Sequence, residues 1–186
     1  MGLMIHSLGG LPLNAERAYY IYLLDYGWHE PLSDAVYRNF DKMADRASRH
    51  NAVVMRGTCG AHFADEVLSW HKINGQSAEE LLPAILITTR HPKSFHSEVV
   101  KSVSNDRLLL IPLRKACNTT SDVVSLIEKI FADIRSKKVL SNFAVAKELK
   151  KGEGGALVDA LILQPNVGGM GLDLKALGKF FKGLRK

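Results

Sequence analysis

Near the start of the chain, the pattern of hydrophobic residues predicts a strand followed closely by a helix. The aromatic and aliphatic run Tyr19–Leu24 has the residue types of a buried β-strand and ends before Gly27. Pro31 stands where the first turn of a helix favours proline. After it, apolar residues recur every three or four positions: Val36, Phe40, Met43 and Ala47. A sharp turn through Trp28–Leu32 is therefore predicted to join a strand to an amphipathic helix.

Further strands follow along the chain. They are predicted at Ala52–Arg56, Leu82–Thr89 and Arg107–Leu113. Because a helix links the first two strands, we expect them to be parallel, in a right-handed unit. Pro112 cannot donate a ladder hydrogen bond, which predicts that the last strand lies at an edge of the sheet. Residues 1–18 are interpreted as a lead-in with a short strand.

Helices are predicted between and after these strands. Asn51 is expected to end the first helix, and a second is expected over His62–His71, before Asn74. The residues Thr120–Asp122 have side chains that cap helices, which predicts the start of a third. Its apolar positions have helical spacing: Val124, Ile127, Phe131 and Ile134.

This order of elements, βαβαββα, resembles that of the thioredoxin family over about residues 18–140. Trp28 and Pro31 keep the spacing of the family's Trp-Cys-Gly-Pro-Cys turn, and Pro83 stands where the family places a cis-proline before its third core strand. The resemblance implies a three-layer α/β domain with a cis peptide before Pro83. Another small three-layer α/β domain is the alternative fold.

The cysteines bear on the chemistry of this turn. His29 and Leu32 occupy the positions of the family's two cysteines, and the chain has only Cys59 and Cys117 elsewhere. Dithiol exchange needs a nucleophilic thiolate and a nearby resolving thiol, and two scattered cysteines give no disulfide framework. The resemblance therefore implies a redox-inactive binding or scaffold module. A reducing, cytoplasmic location is expected.

In such a fold, the strand ends bring several polar residues to one edge of the sheet. The predicted group is Trp28, His29, Glu30, Cys59, His62 and Pro83. It allows a single-thiol enzyme, with Cys59 as nucleophile and His29 or His62 as base, or part of a metal site. Neither pattern is specific, so an inert Cys59 is favoured, with no metal and no cofactor. The edge is then expected to bind rather than to catalyse.

Three other polar residues have plainer interpretations. Asp25 is either a buried charge on the core strand or a cap at the end of that strand. His91 and His96 lie in a loop without a second ligand pair at metal spacing, so we expect them to be solvated.

The charge is concentrated at the end of the chain. Residues 1–136 have equal numbers of acidic and basic residues, so the net charge of +6 lies within residues 137–186. Residues 152–171 are rich in glycine and apolar residues. The predicted organisation is a domain over residues 1–140, a connector over 141–171 and a basic helix over 172–186. The basic end predicts an anionic partner, with a merely solvated tail as the alternative.

The last segment has the pattern of an amphipathic helix. At helical spacing its apolar residues share one side: Leu174, Leu177, Phe180, Phe181 and Leu184. The basic residues are Lys175, Lys179, Lys182, Arg185 and Lys186. A helix of this length spans about 22 Å, long enough to lie on an anionic membrane but too short to cross one. We expect this helix to bind a membrane surface or the groove of a protein partner, with packing on its own domain as the alternative. Nucleic acid is disfavoured because the body is neutral.

Together these features predict a non-enzymatic adaptor that reaches a membrane surface or a protein partner through its basic C-terminal helix. No apolar run is long enough to span a bilayer, and the N-terminus is a poor signal peptide, so a cytoplasmic, peripheral membrane protein is expected. A membrane-perturbing effector and a single-cysteine enzyme are the alternatives.

Overall fold

The computed structural model describes residues 1–12, 14–27, 29–71, 73–74, 81–96, 108–152, 162–163 and 172–173. Six of its strands form one mixed sheet in the order β1-β3-β2-β5-β6-β7, and β4 pairs with β8. The strands are β1 (Gly2–Ile5), β2 (Tyr19–Leu24), β3 (Ala52–Gly57), β4 (Ile73–Asn74), β5 (Ala84–Thr88), β6 (Leu108–Pro112), β7 (Ile162–Leu163) and β8 (Leu172–Asp173). Strands β1, β3 and β2 are parallel, whereas β5, β6 and β7 are antiparallel to their neighbours.

Helices cover both faces of this sheet. The described α-helices are α1 (Pro31–Arg38), α2 (Phe40–Arg49), α3 (Gly60–Trp70), α4 (Lys93–His96), α5 (Leu113–Ala116), α6 (Thr120–Arg135) and α7 (Ala144–Gly152). Two 3-10 turns span Leu8–Gly10 and Leu140–Asn142. One hydrophobic cluster joins the sheet to α1, α2, α6 and α7, and a second joins the other face to α3. The chain therefore forms an α/β domain with a mixed sheet between helices.

Strand β2 lies at the centre and is buried along its whole length. Because successive side chains of a strand point to opposite faces, the strand contributes to both clusters. Tyr19, Ile21 and Leu23 belong to the first cluster. Tyr20, Tyr22 and Leu24 belong to the second.

The predicted strands and the parallel pairing of β2 with β3 are confirmed. The Leu82–Pro83 peptide is cis, as expected, and Asn51 ends α2 with a positive φ of 50°. The helix that follows Pro31 is divided at Asn39, which the periodicity did not predict. The Asn39 side chain donates a hydrogen bond of 2.8 Å to the Ala35 carbonyl, and its backbone N–H bonds to Val36 rather than continuing the α-helical pattern.

The start of α6 differs from the prediction by one residue. Thr119, rather than Thr120, is the N-cap, and its side chain and that of Asp122 bond to each other's backbone N–H groups in a capping box. The Asp122 carboxylate accepts hydrogen bonds from the backbone N–H groups of Thr119 and Asn118. These bonds, first that from Thr119 and then that from Asn118, lower the pKa of the Asp122 carboxyl. Val123 is buried on the inner face, whereas Val124, predicted to be apolar core, is 38% exposed.

The prediction for Pro112 needs correction. Strand β7 pairs with Leu108 and Leu109, so β6 is not the edge strand at that end of the sheet. Pro112 lies at the other end of β6, where its missing N–H breaks no bond to β7.

The folded body also extends beyond the predicted boundary at residue 140. Phe143, Val145 and Ala146 are buried, and the buried Asp133 carboxylate accepts hydrogen bonds from Ala144 N at 2.5 Å and Lys138 Nζ at 2.6 Å. Strand β8 forms where the C-terminal helix was predicted to begin. The other residues of that predicted helix, 174–186, lie outside the described residues.

His71 is buried at the end of α3. Its Nδ1 lies 2.7 Å from the Val67 carbonyl oxygen, and its Nε2 lies 3.3 Å from the hydroxyl of Tyr22. The carbonyl can only accept, so Nδ1 carries the proton and Nε2 accepts from Tyr22. The ring also packs on Phe95, at 4.3 Å between centroids. Burial lowers the pKa of His71 from 6.5 to about 4.

This burial predicts a dependence of stability on pH. The folded state favours neutral His71, so its contribution is complete above pH 6.5 and is lost as the pH falls towards 4. The free energy of unfolding should fall by about 1.4 kcal/mol per pH unit across this window. Urea unfolding of the parent and of His71→Gln checks this: the difference between the two pH profiles should shrink on acidification. Parallel pH profiles for the parent and His71→Gln would contradict the prediction.

Candidate functional site

The candidate site lies where β2 and β3 end and α1 and α3 begin. Gly27 and His29 have positive φ angles of 79° and 52°, which turn the chain sharply before Pro31 starts α1. His29 is exposed at this turn. Trp28, predicted to bind here, lies outside the described residues.

Asp25 is both the buried charge and the strand-end cap that the sequence left as alternatives. It is 6% exposed, and its carboxylate accepts hydrogen bonds from Ser33 Oγ at 2.5 Å and Gly27 N at 3.0 Å. Pro83 is buried beside this pair and lines with it a cleft of only about 10 Å³. Such a cleft is too small for a ligand, so Pro83 supports the turn from beneath.

Glu30 is held by a residue that the sequence analysis did not select. Arg114, at the start of α5, donates two hydrogen bonds to its carboxylate, one from Nε at 3.0 Å and one from Nη2. This bidentate pair joins residues 84 positions apart in the chain. The neighbouring Leu113 N donates a hydrogen bond of 2.8 Å to the Pro83 carbonyl. Helix α5 is therefore bonded both to the turn, through Glu30, and to Pro83 beneath it.

Cys59 and His62 belong to the start of α3, on the other side of the turn. Both are exposed, and the His62 ring lies 5.3 Å from that of His6, centroid to centroid. In the described part of the chain, no hydrogen bond joins the Cys59 thiol to His29 or to His62. Nor do the described residues contain a group of three or more metal-ligating side chains that could hold an ion.

Gly60 sets the distance between these two parts of the site. A Cβ atom at this position would lie 2.6 Å from the Asp25 carbonyl oxygen, closer than real side chains approach a backbone atom. Any other residue here would push α3 away from the end of β2. Glycine therefore lets the Cys59 loop pack directly on the β2 turn.

Other hydrogen bonds hold the segments around the site in place, and no local sequence pattern predicts them. The Glu66 carboxylate accepts from Ser7 Oγ at 2.6 Å and Leu8 N at 2.8 Å, which ties the N-terminal segment to α3. His91, predicted to be solvated, instead has both ring nitrogens bonded: Nε2 lies 3.1 Å from the Pro12 carbonyl, and Nδ1 accepts from Lys93 N at 3.2 Å. The His96 side chain lies outside the described part of the structure.

Comparison with known proteins indicates no function for this chain. No family model, no curated protein and no solved structure matches the chain.

The two thiols differ in their expected reactivity. Cys117 is 3% exposed, and burial raises its pKa to about 11, whereas Cys59 is exposed. We expect a maleimide to modify one thiol of the native protein and both after unfolding, because the thiolate is the reactive form. Intact-mass analysis measures this, with Cys59→Ser as the control that should take up no label when folded. Rapid native labelling of Cys117 would contradict the assignment.

Gly60→Ala should destabilise the protein, since its Cβ would meet backbone rather than a movable side chain. The expected loss is about 1–3 kcal/mol in the free energy of unfolding. Gly10→Ala is the matched control, because a Cβ there meets nothing within 4 Å. Equal stability of the two variants in urea unfolding would show that α3 does not pack closely on β2.

Proposed function

We propose that this chain is a thioredoxin-like adaptor without redox activity that contacts an anionic membrane surface through its basic C-terminal segment. Two observations support the fold. Three parallel strands in the order β1-β3-β2 are followed by antiparallel β5 and β6, and the cis Pro83 packs beside Asp25 at the end of the central strand. This is the arrangement expected of the family from the resemblance.

The position of the thiols supports a binding role rather than dithiol chemistry. The turn before α1 has His29 and Leu32 where the resembled family has its cysteines. Cys59 is exposed at the start of α3, whereas Cys117 is buried in the opposite hydrophobic cluster with α6, so neither thiol can resolve a disulfide formed by the other. The exposure of Cys59 favours single-thiol chemistry as the second candidate.

The proposal for the C-terminal segment is supported by the pairing of β8 with β4. Leu172 and Asp173 are held in register with Ile73 and Asn74, at the end of α3. Leu172 and Asp173 thus fix the position of the chain directly before the basic and apolar residues of the sequence that begin at Leu174. A peripheral, cytoplasmic protein is proposed accordingly, and no helix in the described ranges is long and apolar enough to cross a membrane.

The double substitution Phe180→Glu/Phe181→Glu tests the membrane role. If the segment inserts into the membrane interface, each buried phenylalanine contributes about 1.5–3 kcal/mol, and the variant should lose binding at any salt concentration. Replacing the four lysines of the segment by Gln should weaken binding mainly at low salt, because that attraction is screened. Co-sedimentation with vesicles containing phosphatidylserine measures both effects.

Three outcomes separate the explanations. Unchanged vesicle binding by the phenylalanine variant, at unchanged melting temperature, would refute membrane contact. A lower melting temperature of the whole domain would mean that the segment packs on its own body. Loss of biological activity in folded Cys59→Ser, with vesicle binding retained, would favour the thiol enzyme.

A further inference from the structure

Strand β1 forms one edge of the sheet, and its outer side is unpaired among the described residues. The Met1 and Ile5 carbonyls accept hydrogen bonds from Val54 N at 2.9 Å and Thr58 N at 3.0 Å. Successive residues of a strand direct their backbone groups to alternate sides, so those of Gly2 and Met4 point away from β3. The Met4 side chain is 56% exposed.

Apart from its short length of four residues, this edge lacks the features that usually prevent a further strand from pairing. Residues Gly2–Ile5 contain no proline and no charged side chain, and their pairing with β3 runs in unbroken register. Edge strands are commonly protected by lysine, proline or a bulge. The open backbone groups of β1 therefore remain available to an extended segment.

Beside this edge lies a cation whose hydrogen-bonding capacity is largely unused. Arg56 is the register partner of Met4, and its guanidinium packs 5.4 Å from the Tyr37 ring and 4.7 Å from the Phe40 ring. Its Nη2 lies 3.2 Å from Met4 Sδ, which is only a weak acceptor. Its Nε is buried without a hydrogen-bond partner, and no carboxylate in the described structure pairs with this side chain.

We propose that β1 is a docking edge for an extended peptide segment that carries an acidic residue, whose carboxylate binds Arg56. A strand added to β1 lies about 4.8 Å further out, and its residue opposite Met4 projects on the same face as Arg56. The Arg56 guanidinium already contacts the sulfur of Met4, so a glutamate opposite Met4 can extend its carboxylate to the guanidinium. The docking edge is built from residues outside the C-terminal segment of the sequence, and it goes beyond the proposed membrane role.

Charge complementarity selects this occupant over a second copy of the chain. Residues 1–6 contain no acidic side chain, so β1 pairing with its own copy would leave Arg56 without a counter-ion and bring two guanidinium groups together. Arg56 does not guard the edge against pairing, since it belongs to β3, one strand inside the edge, and is stacked on aromatic rings.

Three nine-residue peptides with blocked termini test the proposal. They alternate threonine and valine and differ only in the central residue, which is Glu, Gln or Lys. Titration followed by nuclear magnetic resonance should shift the amides of Gly2 and Met4, and the Glu peptide should bind about three- to tenfold more tightly than the Gln peptide. Arg56→Gln should abolish that preference. Met4→Pro removes an outward N–H that bonds to no described residue, so it should weaken all three peptides while the fold is kept.

The contrary outcomes are equally specific. Equal affinity for the Glu and Gln peptides in the parent protein would exclude an acidic partner, whether or not Arg56→Gln folds. Absence of shifts at Gly2 and Met4 at millimolar peptide would exclude the docking edge. Shifts at the same amides that grow with protein concentration alone would show that a second copy is the occupant.

Discussion

Burial of β2 on both faces is the constraint from which the rest of the domain follows. Its six residues alternate between two hydrophobic clusters, so neither face can remain open to water. The strand is also paired on both sides, with parallel β3 and antiparallel β5, which satisfies its backbone groups. Helices on both faces are the consequence, because each cluster needs a covering layer.

The end of this strand forms the candidate site, where both carboxylates of the turn accept hydrogen bonds. The Asp25 carboxylate is bonded by Ser33 and Gly27, Glu30 is bonded by Arg114, and Pro83 is buried. These bonds hold the turn in place, while His29 and Cys59 are exposed beside it. Elsewhere in the described residues, the outer side of β1 is unpaired and the Arg56 Nε is buried without a hydrogen-bond partner.

Much of the fold was predictable because the signals are local. The strand at Tyr19–Leu24, the helical character of the segment after Pro31 and the stop at Asn51 each depend on residues close in the chain, and these three features were confirmed. The misjudged features involve competition with neighbours or distant strands. The side chain of Asn39 divides the first helix. The strand that contains Pro112 is not the edge strand that was predicted, because β7, which begins at residue 162, pairs with it.

The sequence by itself determined the alternation of strands and helices, the turn at Gly27 and Pro31, and the absence of cysteines from that turn. These features follow from backbone preferences and residue chemistry that act within a few positions. Only the tertiary structure decided which polar groups are paired. It joins Glu30 to Arg114 and the His91 ring to the Pro12 carbonyl across most of a domain, and places Arg56 beside aromatic rings with no carboxylate partner among the described residues. Such pairings depend on which strands become neighbours, and that is settled by burial of the whole sheet rather than by any one segment.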